Sequence, residues 1–293
     1  MADDKRQAVV TVTSDRFVVG TAVLLDSFCR QNPWFDGDLL VLHGSLSRAA
    51  AEKLHELVPR ARLRAASPDL ASCLDKLVQA CPRLATRRDR FLSLDTFSLA
   101  GHERLLFLDS DMLVTGSFRD LFDRADPLLA CPDGAWLRGN ARHRETYAEV
   151  ARIDGDEILR QTFNAGMLCF DGAMANPATW ATLLDQLDPV HWAAVTADHT
   201  DQRIFNIAFA DRVTLVGPEW NLMLGHHEDS HRSRPVALSD AKALHFNGPG
   251  KPWAVDKALA GAFADPVRAE AQALWLAAYR RLAGSRRVTV TDV

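Results

Sequence analysis

The sequence predicts an α/β fold in which a mostly parallel central sheet is flanked by helices. Strand patterns alternate with helix patterns over the first half of the chain, an order typical of parallel sheets. The segment LLFL, residues 105–108, is short and continuously apolar, as expected of a central strand that is covered on both faces. An apolar periodicity over residues 265–283 predicts a C-terminal helix. In open sheets of this kind, ligands bind at the carboxyl ends of the strands.

The other elements are predicted from local patterns along the chain. Segments rich in β-branched and apolar residues predict strands at residues 8–13, 38–43, 61–65, 128–131, 167–170, 213–216 and 241–246. Helices are predicted at residues 17–30, 47–58 and 198–210. Phe91, Leu94 and Phe97 indicate a further helix that leads into the 105–108 strand. Residues 134–145 have no clear period, which predicts a long loop that either covers a substrate or is simply solvated.

Charge, hydropathy and cysteine usage exclude several classes of protein. The net charge of -4 argues against a general nucleic-acid binder. No apolar run approaches the roughly 20 residues that a membrane span needs, and the N-terminal segment MADDKRQA lacks the apolar core of a signal peptide. The five cysteines are scattered without a CxxC pair. They are expected to be reduced thiols, and the protein is expected to be cytoplasmic.

Two carboxylates follow the 105–108 strand directly. Asp109 and Asp111 flank Ser110, and alternation along an extended chain places the two acids on one side, roughly 7 Å apart at the backbone. At a separation of 5 Å and an effective dielectric constant near 20, they repel by about 3 kcal/mol. A bound cation would neutralise this repulsion. A solvated turn at the end of the strand explains the same residues, so both interpretations stay open.

Three further segments carry polar residues at predicted element ends. Asn164 precedes a strand and offers a donor and an acceptor to a sugar hydroxyl, although a turn asparagine is an equal explanation. Asp201 lies in the first turn of a helix, where the helix dipole alone favours an acid. His245 ends a strand, and Gly248 and Lys251 follow it. Glycine lets backbone N–H groups approach a phosphate, and lysine supplies the compensating charge.

Five segments in this order resemble glycosyltransferase family 8, which includes glycogenin and bacterial lipooligosaccharide galactosyltransferases. They are VTVTSDRF, RLLFLDSDMLV, TFNAGMLCFD, TDQRIFN and LHFNGPGKPW, and they extend over residues 8 to 253. The resemblance implies a GT-A fold, with a Rossmann-like catalytic domain over residues 1–262 and a C-terminal helix and basic tail over residues 263–293. It also implies a metal-dependent, retaining enzyme that moves a hexose from a UDP-sugar to an acceptor hydroxyl.

The resemblance assigns roles to individual residues. The implied metal ligands are Asp109, Asp111 and His245, and the ion is Mn²⁺, with Mg²⁺ as the alternative, because oxygen and nitrogen ligands suit both. The implied donor contacts are Val12, Thr13 and Phe17 at the uracil, Ser110 at the ribose, Gly248 and Lys251 at the diphosphate, and Asn164 at the sugar. The implied catalytic residues near the anomeric carbon are Asp201 and Gln202. From its own sequence position, Phe17 is more readily explained as a packing residue of the core than as a contact to the base.

Two departures from the family limit what the resemblance implies. The family carries a basic residue in the helix before the acidic motif, where this chain has Ser93, and Arg90 is the candidate substitute. No tyrosine lies between Asp201 and His245, which argues against self-glucosylation of the glycogenin type. The donor sugar (glucose-, galactose- or N-acetylhexosamine-type), the acceptor (a small molecule, a glycan or a lipid-linked sugar) and the oligomeric state stay open. The basic C-terminal tail is explained by packing or by a weak membrane-surface contact.

Two alternatives come from other classes of protein. A haloacid-dehalogenase-type phosphatase also carries a D-x-D-x-[TV] loop after an apolar strand, but here the last position is Leu113 and no downstream acid pair can be placed. A catalytically silent sugar-nucleotide-binding protein would be expected to have lost one of the acids or His245, and all three are present.

Overall fold

The computed structural model describes residues 7–134, 137, 162–193, 195, 199–228, 235–248, 250–254 and 265–287. Its strands are β1 (Ala8–Val12), β2 (Asp38–His43), β3 (Ala61–Ala65), β4 (Arg104–Leu108), β5 (Met112–Val114), β6 (Leu128–Pro132), β7 (Phe163–Asp171), β8 (Val213–Leu215), β9 (Leu222–Met223) and β10 (Ala243–His245). Its α-helices are α1 (Val18–Gln31), α2 (Arg48–Leu57), α3 (Pro68–Ala80), α4 (Arg119–Phe122), α5 (Pro177–Asp185), α6 (Asp201–Phe209) and α7 (Pro266–Arg287).

The predicted α/β architecture with a mostly parallel sheet is confirmed. Seven strands form the central sheet in the order β3-β2-β1-β4-β7-β6-β8. The pairs β3–β2, β2–β1, β1–β4 and β6–β8 are parallel, whereas β7 runs antiparallel to both of its neighbours. The buried pattern of β4, with all five residues inside, agrees with its central position and its unbroken apolar sequence.

A second, smaller sheet was not predicted in full. Its order is β5-β10-β9, and β5 begins directly after the two carboxylates. The antiparallel pairing of β5 with β10 places His245 opposite Met112. The strand predicted over 241–246 is only three residues long in the structure. It pairs with β5, the segment that follows Asp111.

Helices cover both faces of the central sheet with separate apolar clusters. On one face, α1 and α7 pack with residues of β5 and β10, and their buried members include Phe28, Leu244 and Trp275. On the other face, α3, α5 and α6 pack against the segment that precedes β4, and Phe97 stacks on Phe170 with ring centroids 4.2 Å apart. Burial on both faces explains why the central residues of β1, β4 and β7 are apolar and their polar side chains lie at or near the strand ends.

Two predicted elements differ from the observed ones. The segment that contains Phe91, Leu94 and Phe97 is helical as predicted, but it forms a 3₁₀ helix, Pro82–Ser98, instead of an α-helix. Its apolar residues recur every third position, and a 3₁₀ helix aligns that spacing on one face. The strand predicted at 167–170 begins earlier, at Phe163, so Asn164 lies inside β7 and not in a turn. Apart from Gly134 and Leu137, the predicted loop over 134–145 lies outside the described residues.

The C-terminal helix packs against the segment that follows β10. Trp275 lies 5.9 Å from Trp253 between ring centroids, and Trp253 meets Phe17 edge-on at 5.2 Å. Arg268 donates to the carbonyl of Gly250 at 3.2 Å, and Gln272 donates to that of Pro252 at 2.9 Å. Helix α7 therefore supports the segment that carries Lys251. Among the helices of the described residues, none has the length and apolar character needed to cross a membrane.

The packing of Trp253 on α1 predicts that Gly20→Ala destabilises the protein. A Cβ atom at Gly20 would overlap the Trp253 ring and lie 2.7 Å from the carbonyl oxygen of Ser110. Overpacking of this kind costs about 1–3 kcal/mol, measurable in urea unfolding. Gly284→Ala is the matched control, because its Cβ would meet nothing within 4 Å in helix α7. The control should gain about 0.5–1 kcal/mol. Equal stability of both variants would contradict the packing.

Candidate active site

A cleft with a volume of about 1190 Å³ lies at the carboxyl ends of β1 and β4 and is bordered by β7 and α6. Every residue to which the family resemblance assigns a role lines this cleft: Val12, Thr13, Phe17, Arg90, Asp109, Ser110, Asp111, Asn164, Asp201, Gln202, His245, Gly248 and Lys251. Residues that are as many as 239 positions apart in the chain, from Val12 to Lys251, thus share one cavity. The position agrees with the rule that ligands bind at the carboxyl edge of parallel strands.

Asp109, Asp111 and His245 form a compact cluster on the floor of the cleft. One potential ligand atom from each residue lies within 4.8 Å of the other two. His245 Nε2 is 3.2 Å from Asp111 Oδ1 and 3.5 Å from Asp109 Oδ2. The backbone fixes this arrangement, because Phe246 N–H donates to the carbonyl of Asp111 and Asp109 N–H donates to that of Gly166, both at 2.9 Å. Two carboxylates and an imidazole at this spacing fit a divalent cation.

The two carboxylates have opposite electrostatic surroundings. Lys251 Nζ donates to Asp111 Oδ2, and also to the carbonyl of Phe246 at 2.9 Å. Burial acts to raise the pKa of Asp111, but the charges of His245 and Lys251 outweigh it and hold that pKa well below its usual range. Burial, followed by the negative charge of Asp111, raises the pKa of Asp109 well above its usual range. In the protein without metal, Lys251 therefore neutralises Asp111 directly, whereas Asp109 is stabilised only by solvent, to which 39% of its side chain is exposed, and by the weaker effects of the His245 and Lys251 charges.

Gly166 is required by the cluster itself. A Cβ atom there would lie 2.6 Å from His245 Cε1, 2.8 Å from Asn164 Oδ1 and 2.9 Å from Asp109 Oδ2. These neighbours are three polar side chains of the site. Any residue other than glycine would push these groups apart.

At one end of the cleft, Asp201 is held by two hydroxyl groups. Ser93 Oγ donates to Asp201 Oδ2 at 2.7 Å, and Thr200 Oγ1 donates to Oδ1 at 2.9 Å. Burial raises the pKa of Asp201, while these hydrogen bonds and the charge of Arg90 oppose the rise. Ser93, where the family has a basic residue, thus fixes Asp201, and Arg90 lines the cleft beside it.

Gln202 belongs to a series of side-chain hydrogen bonds. Asn164 Nδ2 donates to Gln202 Oε1 at 2.9 Å, and Gln202 Nε2 donates to Asp133 Oδ2 at 3.2 Å. Asn221 Nδ2 donates to Asn164 Oδ1 at 2.8 Å, and Asn221 Oδ1 lies 2.8 Å from His245 Nδ1. Sequence reasoning missed both Asp133 and Asn221. The only signals were that Asp133 comes shortly after the predicted 128–131 strand and that Asn221 ends the segment PEWN, residues 218–221, whose proline and asparagine are typical of a turn.

The opposite end of the cleft combines an apolar wall with a glycine turn. Thr13 is buried, and its hydroxyl lies 2.8 Å from that of Thr21, while Phe17 is half-buried against Trp253. Phe17 therefore serves as a packing residue and as part of the cleft wall at once. Gly248 has a φ of 92°, a left-handed conformation that favours glycine.

Comparisons with known proteins agree with this architecture. The galactosyltransferase LgtC, solved with donor and acceptor sugar analogs, superposes with a TM-score of 0.68 at 20% identity over 95% of each chain. The glycosyltransferase GlyE of Streptococcus pneumoniae superposes with a TM-score of 0.56 at 18% identity over 85% of this chain and 57% of its own. The glycosyltransferase GlyB of Streptococcus pneumoniae serotype 4 is 31% identical over 169 residues, 52% of this chain. The chain spans 35% of the length of GlyB.

The fold is thus GT-A. The model of glycosyl transferase family 8 matches residues 8–257, and the chain belongs to that family. The resemblance drawn from the five sequence segments is confirmed.

The unequal surroundings of the two acids predict opposite effects of two isosteric substitutions in the metal-free protein. Asp111→Asn removes the partner of the partly buried Lys251 and should cost about 3 kcal/mol. Asp109→Asn should stabilise the protein. A carboxyl group whose pKa is higher in the folded protein destabilises the fold once the pH exceeds its pKa in the unfolded chain. The asparagine amide that replaces it does not titrate and has no such effect. The gain should therefore be absent near pH 4 and grow toward pH 7.

Urea unfolding in EDTA at several pH values measures both effects. The two variants differ by one carboxylate position only, so each is the control for the other. Equal stability changes of the same sign would contradict the assignment of Lys251 to Asp111.

Gly166→Ala is predicted to disrupt the cluster of Asp109, Asp111 and His245 while leaving the fold intact. The added methyl group would separate His245 from Asp109, because it would lie less than 3 Å from atoms of both. We expect Mn²⁺, titrated into the variant and followed by its electron paramagnetic resonance signal, to bind at least about 10-fold more weakly than to the parent. Displacing one ligand or its support typically costs 10–100-fold in metal affinity. Parent-like binding would show that the three residues do not act together.

Proposed function

We propose that this protein transfers a hexose from a UDP-sugar to an acceptor hydroxyl with retention of anomeric configuration, and that the reaction depends on Mn²⁺ or Mg²⁺. The observation that carries the proposal is the cluster of Asp109, Asp111 and His245 on the floor of a cleft, with Lys251 beside it. A nucleoside diphosphate-sugar carries two phosphates between a base and a sugar. The acids of the cluster follow β4, which lies in the sheet between β1, with Val12 at its end, and β7, which carries Asn164. This order matches such a ligand.

The nucleotide end is assigned to the wall formed by Val12, Thr13 and Phe17. Phe17 is half-buried, meets Trp253 edge-on and lines the cleft, which suits contact with a base. Ser110, between the two acids, is placed to contact the ribose. These roles rest on the position of each residue along the cleft and on the family to which the chain belongs.

The diphosphate is assigned to Gly248, Lys251 and the acidic cluster. Asp109, Asp111 and His245 would hold the cation, which when bound supplies Lewis-acid stabilisation to the departing UDP. The side chain of Lys251 places a positive charge beside the same phosphates, and the left-handed turn at Gly248 leaves room for them. Charge stabilisation of this kind removes the need for a general acid.

The transferred sugar is assigned to Asn164, Asp201, Gln202 and Arg90. Asp201 accepts two hydroxyl hydrogen bonds, and its carboxylate is fixed beside the cleft. Gln202 is fixed by Asn164 and Asp133. Retention is served either by one of these side chains acting as a nucleophile or by attack of the acceptor on the face that UDP leaves. Both routes require Asp201 and Gln202 to be held in fixed positions beside the cleft.

The two alternative functions are less compatible with the molecule. Membership of glycosyl transferase family 8 argues against a haloacid-dehalogenase-type phosphatase. The complete acidic cluster argues against a catalytically silent binding protein.

The acceptor is proposed to be a small molecule, a glycan or a lipid-linked sugar. The predicted domain division at 262/263, the cytoplasmic location and a membrane contact of the basic tail remain predictions, and the five cysteines are free thiols as expected.

The decisive experiment is a panel of UDP-sugars with Mn²⁺, followed by release of UDP. We expect one donor class to be turned over and p-nitrophenyl phosphate to remain intact. UDP with Mn²⁺ at 100 times its dissociation constant should stabilise the fold by about 2.7 kcal/mol, and UDP with EDTA should stabilise it much less. Hydrolysis of the phosphate ester, or equal stabilisation in EDTA, would contradict the proposed function.

A further inference from the structure

Side-chain amides join His245 to Gln202 through consecutive hydrogen bonds. The backbone determines which group donates and which accepts in each of these hydrogen bonds. Asn221 lies 2.8 Å from both His245 Nδ1 and Asn164, and Asn164 lies 2.9 Å from Gln202. The assignment of oxygen and nitrogen within a side-chain amide normally depends on its neighbours. Here one neighbour is a backbone N–H, which can only donate.

The N–H of Gly166 donates to the Asn164 side chain at 2.9 Å, so the atom that it meets is the carbonyl oxygen Oδ1. The Asn221 atom that faces this oxygen must then be the NH₂ group. Consequently Asn221 presents its own oxygen to His245. An oxygen only accepts, so His245 carries a proton on Nδ1.

The other end of the series gives the same direction. Asn164 presents its NH₂ group to Gln202 Oε1, which leaves the Gln202 NH₂ group facing Asp133. Asp133 is a carboxylate, which accepts, and its second oxygen also accepts from the Thr162 hydroxyl at 2.8 Å. A flip of any one amide would produce two facing donors or two facing acceptors. The backbone N–H of Gly166 and the carboxylate of Asp133 therefore fix the orientation of all three side-chain amides.

With a proton fixed on Nδ1, Nε2 is the nitrogen that can give a lone pair to a cation, and it faces Asp109 and Asp111. The tautomer of a metal-binding histidine is set by the hydrogen bond that its other nitrogen makes. Asn221 is only 1% exposed, and it directly precedes β9, which pairs with β10 so that His245 lies beside Met223. Its side chain thus approaches His245 from a rigid, buried position.

We propose that Asn221 is a positioning residue that serves both ends of the site. Its oxygen holds His245 with Nε2 directed toward a divalent cation, and its NH₂ group holds Asn164, which in turn holds Gln202. The first role concerns the cation cluster alone. The second rests on the proposed function, because it acts on a residue assigned to the transferred sugar.

Asn221→Ala tests the first role through the affinity for Mn²⁺ alone. The metal-free protein is titrated with Mn²⁺, and the free ion is measured by electron paramagnetic resonance. We expect a 10- to 100-fold loss of affinity, the usual effect of losing the partner of a metal-binding histidine. Asn206→Ala is the matched control, because Asn206 is also buried and also makes several hydrogen bonds, to Phe163 and Gln202, but does not contact the cluster. Unchanged Mn²⁺ affinity in Asn221→Ala, or an equal loss in the control, would overturn the proposal.

Asn221→Asp separates the two roles and remains informative if Asn221→Ala does not fold. The carboxylate still accepts from His245 but no longer donates to Asn164. We expect Mn²⁺ affinity to be retained or raised, whereas kcat for UDP-sugar turnover falls at least about 10-fold. Loss of Mn²⁺ affinity, or full kcat, would overturn the corresponding role. Because Mn²⁺ binding is measured without donor, a parent protein that binds Mn²⁺ but turns over no UDP-sugar would contradict the proposed function and leave the first role intact.

Discussion

The charge of two carboxylates at the end of a fully buried strand is the constraint on which the rest of the structure depends. Asp109 and Asp111 follow β4, whose five residues are all buried, so the two acids cannot move apart without displacing the centre of the sheet. Asp111 is only 7% exposed, whereas 39% of the Asp109 side chain remains exposed to solvent. Positive charge must instead be brought to them. Lys251 supplies it at Asp111, from a position 140 residues further along the chain.

The second half of the chain accordingly converges on this point. β5 leaves the acidic motif and pairs with β10, which places His245 over the carboxylates. The segment after β10 returns Lys251 to Asp111, and the helix α7 holds that segment through Arg268 and Gln272. The small sheet and the C-terminal helix are therefore part of the support of the site, although β9, β10 and α7 come more than 100 residues after Asp109 and Asp111 in the chain.

The features that could be predicted from sequence are those in which local chemistry dominates. The apolar run of β4, the acids that follow it and the glycines and lysine after His245 are each recognisable within about ten residues. The unpredicted features depend on pairing between distant segments. The antiparallel insertion of β7 and the formation of β5 leave no local signal, because β-propensity does not determine the direction of pairing. Asn221 and Asp133 escaped notice because each acts only through a neighbour that the fold supplies.

The 3₁₀ helix is a different case, since its signal was present and was interpreted with the wrong period. Phe91, Leu94 and Phe97 recur at intervals of three, and an α-helix would have spread them over a wider arc than a 3₁₀ helix does. The distinction affects the site. The same segment places Ser93 against Asp201, so the period of the helix determines which side chain meets the acid.

Lys251 links the electrostatics of the cluster to the proposed function. In the metal-free protein the ammonium group of Lys251 serves Asp111, and the proposed function requires it to serve a diphosphate. It can leave Asp111 at low energetic cost only when another cation replaces its charge there, because an uncompensated buried carboxylate is costly. Under the proposed function, binding of the divalent ion would free Lys251 for the phosphates, and bound phosphates would draw Lys251 away from the position that competes with the ion. By thermodynamic reciprocity, metal and nucleotide would then increase each other's affinity by the same factor.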